Sequence, residues 1–319
     1  VTYAIKNRYT FNASFRADQS SKFEGSNQIG YFPAASFAWT ASNEKFLRNS
    51  EVVSYLKFRA SWGEVGNQAI NPYQTFNNYG AAPYSNTGNS TVIGLAPLNI
   101  ANKDLTWETT TQFNVGFDVA LFDNRLSSSL DFYKKETSDL LINTPTPTPS
   151  GFANFLKNQG GLENMGMDFS IDGLVLDKKD FSISLGGNIS FNKSKIVDLQ
   201  ALPPSDIWID GTQVSTPYYL GSGVSTGLYF KSPANAFIQG EEVGLFWGFK
   251  TNGIYQDQAT ADAGPTYNGN GNMAGDVVFV DVNGDGNVDD LDKTNIGNPN
   301  PDFSYGINAN VQYKKFNLS

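Results

Sequence analysis

The chain has 319 residues, 39% hydrophobic and 14% aromatic but only 17% charged, with a net charge of −9 and neither cysteine nor histidine. That composition removes a thiol nucleophile, a disulfide framework, a histidine triad and a zinc site on the usual ligands, and the lack of a Lys/Arg cluster speaks against nucleic acid as a partner. No apolar run approaches the roughly 18 residues of a spanning helix, so a membrane reading requires a closed β-barrel; zero cysteine fits an exported protein.

Taken in order, Arg8 to Asp18 reads as a strand, with Tyr9, Phe11, Ala13 and Phe15 on one face and Thr10, Asn12, Ser14 and Arg16 on the other. Gly30 to Ser42 follows, with Pro33 near its start, where a missing N–H is tolerated. Leu56, Phe58, Ala60 and Trp62 then alternate with Lys57, Arg59, Ser61 and Gly63, before a long segment, 67–106, rich in Asn, Gly, Pro and Tyr. From Trp107 to Lys135 the pattern is that of a long hairpin about Phe122-Asp123-Asn124-Arg125. Phe113, Val115, Phe117, Val119 and Leu121 fill the odd positions, and Asn114, Gly116, Asp118 and Ala120 the even ones. Strict period two is the signature of a two-faced strand. The second face is small and polar, as suits a confined aqueous interior, and strands of this length fit a tilted crossing of about 9 to 11 residues. Asp118, Asp131, Asp168 and Asp172 fall on that polar face and are expected either to touch a solute or plug or simply to solvate the interior.

The segment 141–162, with its Thr144-Pro-Thr-Pro-Thr-Pro-Ser150 string, reads as a stiff exposed loop. Alternation resumes at Met165, Met167, Phe169 and Ile171, and is cleanest from Phe181 to Asn192. A long excursion, 193–302, comes next, and Phe303, Tyr305, Ile307, Ala309, Val311 and Tyr313 form the last full strand. Short and long connections alternate, as in outer-membrane barrels with short periplasmic turns and long extracellular loops. Trp39, Trp62, Trp107 and Tyr313 are placed near strand ends, as an aromatic girdle requires. The expected fold is all-β, a fragment of a large antiparallel transmembrane barrel with long extracellular loops, covering 1–319 and lacking its plug and closing strands.

Within the excursion, Asp281-Val-Asn283-Gly-Asp285-Gly286-Asn287-Val-Asp289-Asp290-Leu291-Asp292 carries explicit site chemistry. Calcium takes six to eight oxygen ligands, and an EF-hand-like loop supplies them from positions 1, 3, 5, 7 and 12. Those positions are Asp281, Asn283, Asp285, Asn287 through its carbonyl, and Asp292, with Asp289 acting through water and Gly286 at the sharp turn. The expected ion is calcium; Asp at position 12 is shorter than the usual Glu and makes magnesium the alternative. Other motifs fail. Gly221-Ser-Gly-Val-Ser-Thr-Gly227 has one residue too many for a dinucleotide fingerprint, and adjacent Glu241 and Glu242 would point to opposite faces of a strand rather than act as a glycosidase pair. No enzyme activity is expected.

Several strings, in order, resemble the SusC/RagA family of TonB-dependent outer-membrane transporters: Ser20-Ser-Lys-Phe23, Gly30-Tyr-Phe-Pro33, Leu56-Lys-Phe-Arg-Ala-Ser-Trp-Gly63, Gly66-Asn-Gln68, Leu105-Thr-Trp-Glu108, Asn124-Arg-Leu-Ser127, Gly275-Asp276, Asp281 to Gly286, and Gly297-Asn-Pro-Asn-Pro-Asp-Phe303. Gln19 stands where that family has Gly before the Ser-Ser pair. The resemblance implies a plugged barrel of about 22 strands, roughly nine of them supplied here, in a bacterial outer membrane. It further implies import of an oligomeric nutrient, glycan or peptide, driven by TonB through N-terminal parts outside the chain and captured under a SusD-like surface lipoprotein. The competing expectation is a soluble, calcium-stabilised β-sandwich or propeller that binds carbohydrate, because periodicity alone does not tell lipid-facing from core-facing residues.

Overall fold

The computed structural model describes every residue except 87–89, 200–201, 222 and 226–230, so the Gly221–Gly227 string lies partly outside the described residues. The chain separates into two compact units, Val1–Lys193 with Phe303–Ser319, and Ser194–Asp302.

The first unit is built on one sheet of ten strands, one more than the alternation suggests because Thr2–Ile5 also pairs. They are β1 (Thr2–Ile5), β2 (Tyr9–Gln19), β3 (Ile29–Thr40), β4 (Val53–Asn67), β5 (Glu108–Leu121), β6 (Leu126–Ser138), β7 (Gly161–Lys178), β8 (Phe181–Asp198), β9 (Ser304–Tyr313) and β10 (Phe316–Leu318). They neighbour one another in chain order, a meander with no crossover. The tight turns at one end take left-handed residues: Lys6 and Asn7, then Phe122, Asp123 and Asn124, then Lys314. Asp and Asn tolerate that conformation; for Phe122 it is strained.

Alternation survives in the registers. Phe117 lies opposite Phe58 and Leu130, while Gly116 lies opposite Arg59 and Asp131. Among the described residues of this unit no second layer covers the apolar face, and Phe113 is 52% and Ile307 82% exposed. A sandwich or propeller would bury those rings against a second sheet, so the soluble reading is corrected here.

At the turn end, Glu44 ties two interfacial rings together. Its Oε1 accepts from the Tyr9 hydroxyl at 2.7 Å and from Trp39 Nε1 at 3.4 Å, and its Oε2 pairs with Arg8 at 3.0 Å. The Tyr9 hydrogen bond, more than the Arg8 charge, holds the Glu44 carboxyl below its ordinary range.

At the opposite end the long connections are structured. Phe23, Phe32, Ile70, Leu105, Trp107 and Leu156 form a buried cluster, stitched by Asn side chains to backbone: Asn27 to the Leu105 carbonyl, Asn102 to that of Leu156, and Asn158 both to and from Thr106. Trp107, expected in the girdle, is only 6% exposed inside this cluster, because loops from three connections close over it. Trp62 is also displaced, lying well inside β4. Within the long segments, Tyr79–Asn86 pairs with Ser90–Pro97, and Leu141–Pro145 with Asn154–Asn158, so hairpins stand where the sequence suggests a long loop and a stiff exposed loop.

The second unit centres on a four-stranded sheet of Tyr218–Leu220, Asn235–Ile238, Leu245–Phe249 and Lys293–Gly297. Its buried face, with Ala236, Ile238, Leu245 and Trp247, packs with Ile207 of the Ser205–Ile209/Thr212–Thr216 hairpin. That hairpin turns through Asp210-Gly211, both at positive φ, as a two-residue primed turn requires. Lys250 donates to the Asp210 carboxylate, and the Asp210 amide to the buried Thr294 hydroxyl.

Candidate functional site

Two places carry polar chemistry: the polar face of the ten-stranded sheet and the oxygen-rich loop of the second unit. On the sheet, Arg59 is the centre. Its Nε and Nη2 donate to both oxygens of Asp118, and Nη1 and Nη2 to both oxygens of Asp131, all at 2.9 Å. These are two bidentate forks from one guanidinium, the geometry for which arginine is suited. Asp131 lies two strands away, and the reach depends on Gly116 between them. A Cβ at Gly116 would sit 2.4 Å from Asp131 Oδ1 and 2.9 Å from the Leu130 carbonyl oxygen.

The same device recurs. The Tyr133 hydroxyl on β6 donates to Asn192 Oδ1 on β8 at 3.0 Å, passing Gly166 of β7, where a Cβ would meet that hydroxyl at 2.3 Å. Over Gly186 of β8, side-chain oxygens of Asp172 and Asn308 approach from the flanking strands, 2.2 and 2.1 Å from where a Cβ would lie. Glycine on the middle strand lets polar side chains of its neighbours cross it. Of the four expected carboxylates, Asp118 and Asp131 are thus clamped by Arg59. Asp168 lies opposite Asp131 and Asp172 opposite Ser127, and among the described residues neither forms an ion pair. Two shallow depressions, about 230 and 250 Å³, share Ser170 and Asp172. Their linings hold hydroxyls, amides and carboxylates.

Alternation had placed Arg59 on this face without a role. An arginine among small wall residues signals that carboxylates must lie within its reach, but the register decides which.

In the second unit the loop is closed by its own amides. Asp281 accepts from the Gly284 and Gly286 N–H groups at 2.7 and 2.8 Å, Asn283 Oδ1 from Asp285 at 2.9 Å, and Asp285 Oδ1 from Asn287 at 2.8 Å. Asp292 is fully buried and accepts three amides, from Val282, Asn283 and Asp289. Asp289 caps the following turn through the Leu291 amide. The Asn287 side-chain oxygen accepts from Thr266 and Gly269, and Thr266–Tyr267 runs parallel to Asn287–Val288. The donor set is hard oxygen, calcium's preference, and Asp281 keeps a lone pair on each oxygen. Among the described residues, however, no group of three or more acidic, histidine or cysteine side chains is arranged to hold a metal ion.

The sheet has known counterparts. The family model described as "TonB dependent receptor-like, beta-barrel" matches residues 1–319. TonB-dependent receptor P3 of Formosa agariphila is 35% identical over 319 residues, covering 100% of this chain and 30% of that protein. TonB-dependent receptor SusC of Bacteroides thetaiotaomicron is 32% identical over 327 residues, with the same coverage of 100% and 30%. Among solved structures, the RagAB peptide transporter superposes with a TM-score of 0.77 over 99% of this chain and 31% of that one, at 24% identity. RagAB described as a peptide importer in its "closed-closed" state gives 0.75 over 98% and 31%, at 25%. An uncovered apolar face, a polar face stapled across glycines and a full-length family match have one consistent explanation: this chain, spanning about 30% of the curated relatives it matches, belongs to the TonB-dependent receptor β-barrel family of the bacterial outer membrane.

Proposed function

We propose that the chain forms part of the wall of an importer for an oligomeric nutrient, glycan or peptide, in which it guides passage and performs no catalysis. TonB supplies the energy through parts of the protein outside this chain, and a SusD-like surface lipoprotein covers the substrate. The observation that carries the reading is the two-faced sheet, with small and polar residues such as Arg59, Asp118, Asp131 and Asn192 bonded across one side and exposed apolar residues such as Phe113 and Ile307 on the other. Similarity to SusC and to a peptide transporter supports import and leaves both substrate classes standing. Deleting the full-length gene in a host without paralogues should abolish growth on one oligosaccharide or peptide class while sparing growth on its monomer. Undiminished growth on every such source would sink the proposal. If no lipoprotein accompanies the purified protein, only the lid is lost.

The second unit belongs, in this proposal, to the extracellular side, and its 281–292 loop takes one calcium ion, with magnesium the alternative. The support is the spacing of its oxygen donors, Asp281, Asn283, Asp285, the Asn287 carbonyl and Asp292, with Asp289 through water. The ion would act as a clip that orders the excursion; the loop's flanks hold no helix pair to open. Asp281→Ala combined with Asp285→Ala should remove one bound ion by elemental analysis and increase protease sensitivity of 194–302, with the wall intact. Unchanged metal content would refute the site.

A further inference from the structure

Three connections at the loop end of the wall share one core. The first, 20–28, brings Phe23; the second, 68–107, brings Ile70, Leu105 and Trp107; the third, 139–160, brings Leu156, with Leu141 packed against it. Phe32 of β3 completes the cluster. The Trp107 ring lies with its centroid 5.4 Å from that of Phe23 and 5.5 Å from that of Phe32. It is seated over two glycines, Gly30 of β3 and Gly66 of β4, where a Cβ would clash with the Phe32 ring and come within 3.2 and 2.9 Å of the Trp107 ring. Polar ties join the same segments, besides the asparagine bonds to Leu105, Leu156 and Thr106. Lys22 Nζ donates to the Gln68 carbonyl oxygen at 3.2 Å, and the buried Thr75 hydroxyl donates to that of Lys22 at 3.3 Å. One Glu108 oxygen accepts from the Asn67 side-chain amide and the other from the Leu141 N–H.

Among the described residues, each connection brings only one to three side chains to this cluster, and they are shielded from water together. A connection that swung out alone would wet Trp107 and the side chains of the other two, and would free the carbonyls that its partners' amides reach. Partial opening would therefore cost nearly as much as complete opening while recovering less chain entropy. We propose that the three connections form one lip at the loop end of the barrel, which unlatches as a single unit, and that Trp107 couples its parts. A solute or lid protein that displaces the third connection thereby loosens the first, through packed side chains that are either latched or released. That this lip stands at the outer mouth rests on the proposed import function; its cooperativity does not.

The test is amide hydrogen exchange, read by mass spectrometry on the full-length protein in detergent. In the wild type, peptides covering 20–28, 100–107 and 153–158 should share one level of protection. Leu156→Ala, in the third connection, should speed exchange in all three by at least about tenfold, and Trp107→Ala should do the same. Ile93→Ser lies on the second connection but outside the cluster, at a side chain 73% exposed, and should speed none of them. Heat-modifiable gel migration reports that each barrel is folded; if Trp107→Ala is not, Leu156→Ala still decides. Faster exchange confined to the third connection in Leu156→Ala would overturn the proposal. Cooperative exchange in a protein that proves to import nothing would still support the lip.

Discussion

Phe117→Arg is expected to destabilise the barrel by about 2 to 4 kcal/mol, the cost of an arginine on a lipid face near the bilayer midplane. Phe117 projects from β5 between Phe58 and Leu130, with its ring 6.3 Å from that of Phe58, so the variant loses ring packing and places a guanidinium in hydrocarbon. The comparison is Ser184→Arg on the polar face of β8, opposite Asn310, where water reaches the charge and the expected cost is below about 1 kcal/mol. Asp118→Arg would have been the natural control from alternation alone. The structure disqualifies it, because it would destroy a bidentate pair and set two guanidinium groups together. Unfolding in detergent or lipid measures both variants; equal costs would sink the assignment of faces, and a larger cost for Ser184→Arg would reverse it.

Gly116→Ala is expected to cost about 2 to 3 kcal/mol, near the upper end for forcing an atom into a filled site. A methyl at 2.4 Å from Asp131 Oδ1 can be relieved on that side only by moving the carboxylate away from Arg59, while the Leu130 carbonyl at 2.9 Å gives no relief because it is backbone. The lost Arg59–Asp131 fork is part of that cost, since these side chains are only 22–32% exposed and the pairing is bidentate, the geometry in which an ion pair counts. A double-mutant cycle separates the two effects. Added to Asp131→Ala, the same Gly116→Ala change should cost clearly less than alone, because the obstructing carboxylate is gone. Strict additivity would show that the carboxylate is not the obstacle and that the glycine is needed for another reason.

Most of the ten-strand wall, Thr2–Ile5 excepted, was legible because its signal is local. Each strand states its two faces by period two, and turn residues such as Asp123-Asn124 mark where the chain reverses. The short-long rhythm of connections also needs no distant partner to be seen. The hairpins 79–97 and 141–158 carry no clean period two, because Gly, Pro and Asn interrupt their apolar residues, and only folding brings Leu141 and Leu156 onto the buried cluster. The 281–292 donor spacing is likewise a local feature, readable in order along the chain.

Tertiary structure alone decided the rest. Arg59 meets Asp118 and Asp131 across 59 and 72 residues of sequence. Alternation assigns all three to one face but is silent on register, and a shift of two residues would keep every face while separating every pair. Trp107 sits one residue before a strand, as a girdle residue would, and is buried because its own connection and two others, bearing Phe23 and Leu156, fold over it. For the 281–292 loop, donor order is local, whereas the direction each carboxylate faces was set by the amides that the folded backbone brought to it. Period two is a property of a single strand, but contact is a property of neighbouring strands, and pairing geometry sets it.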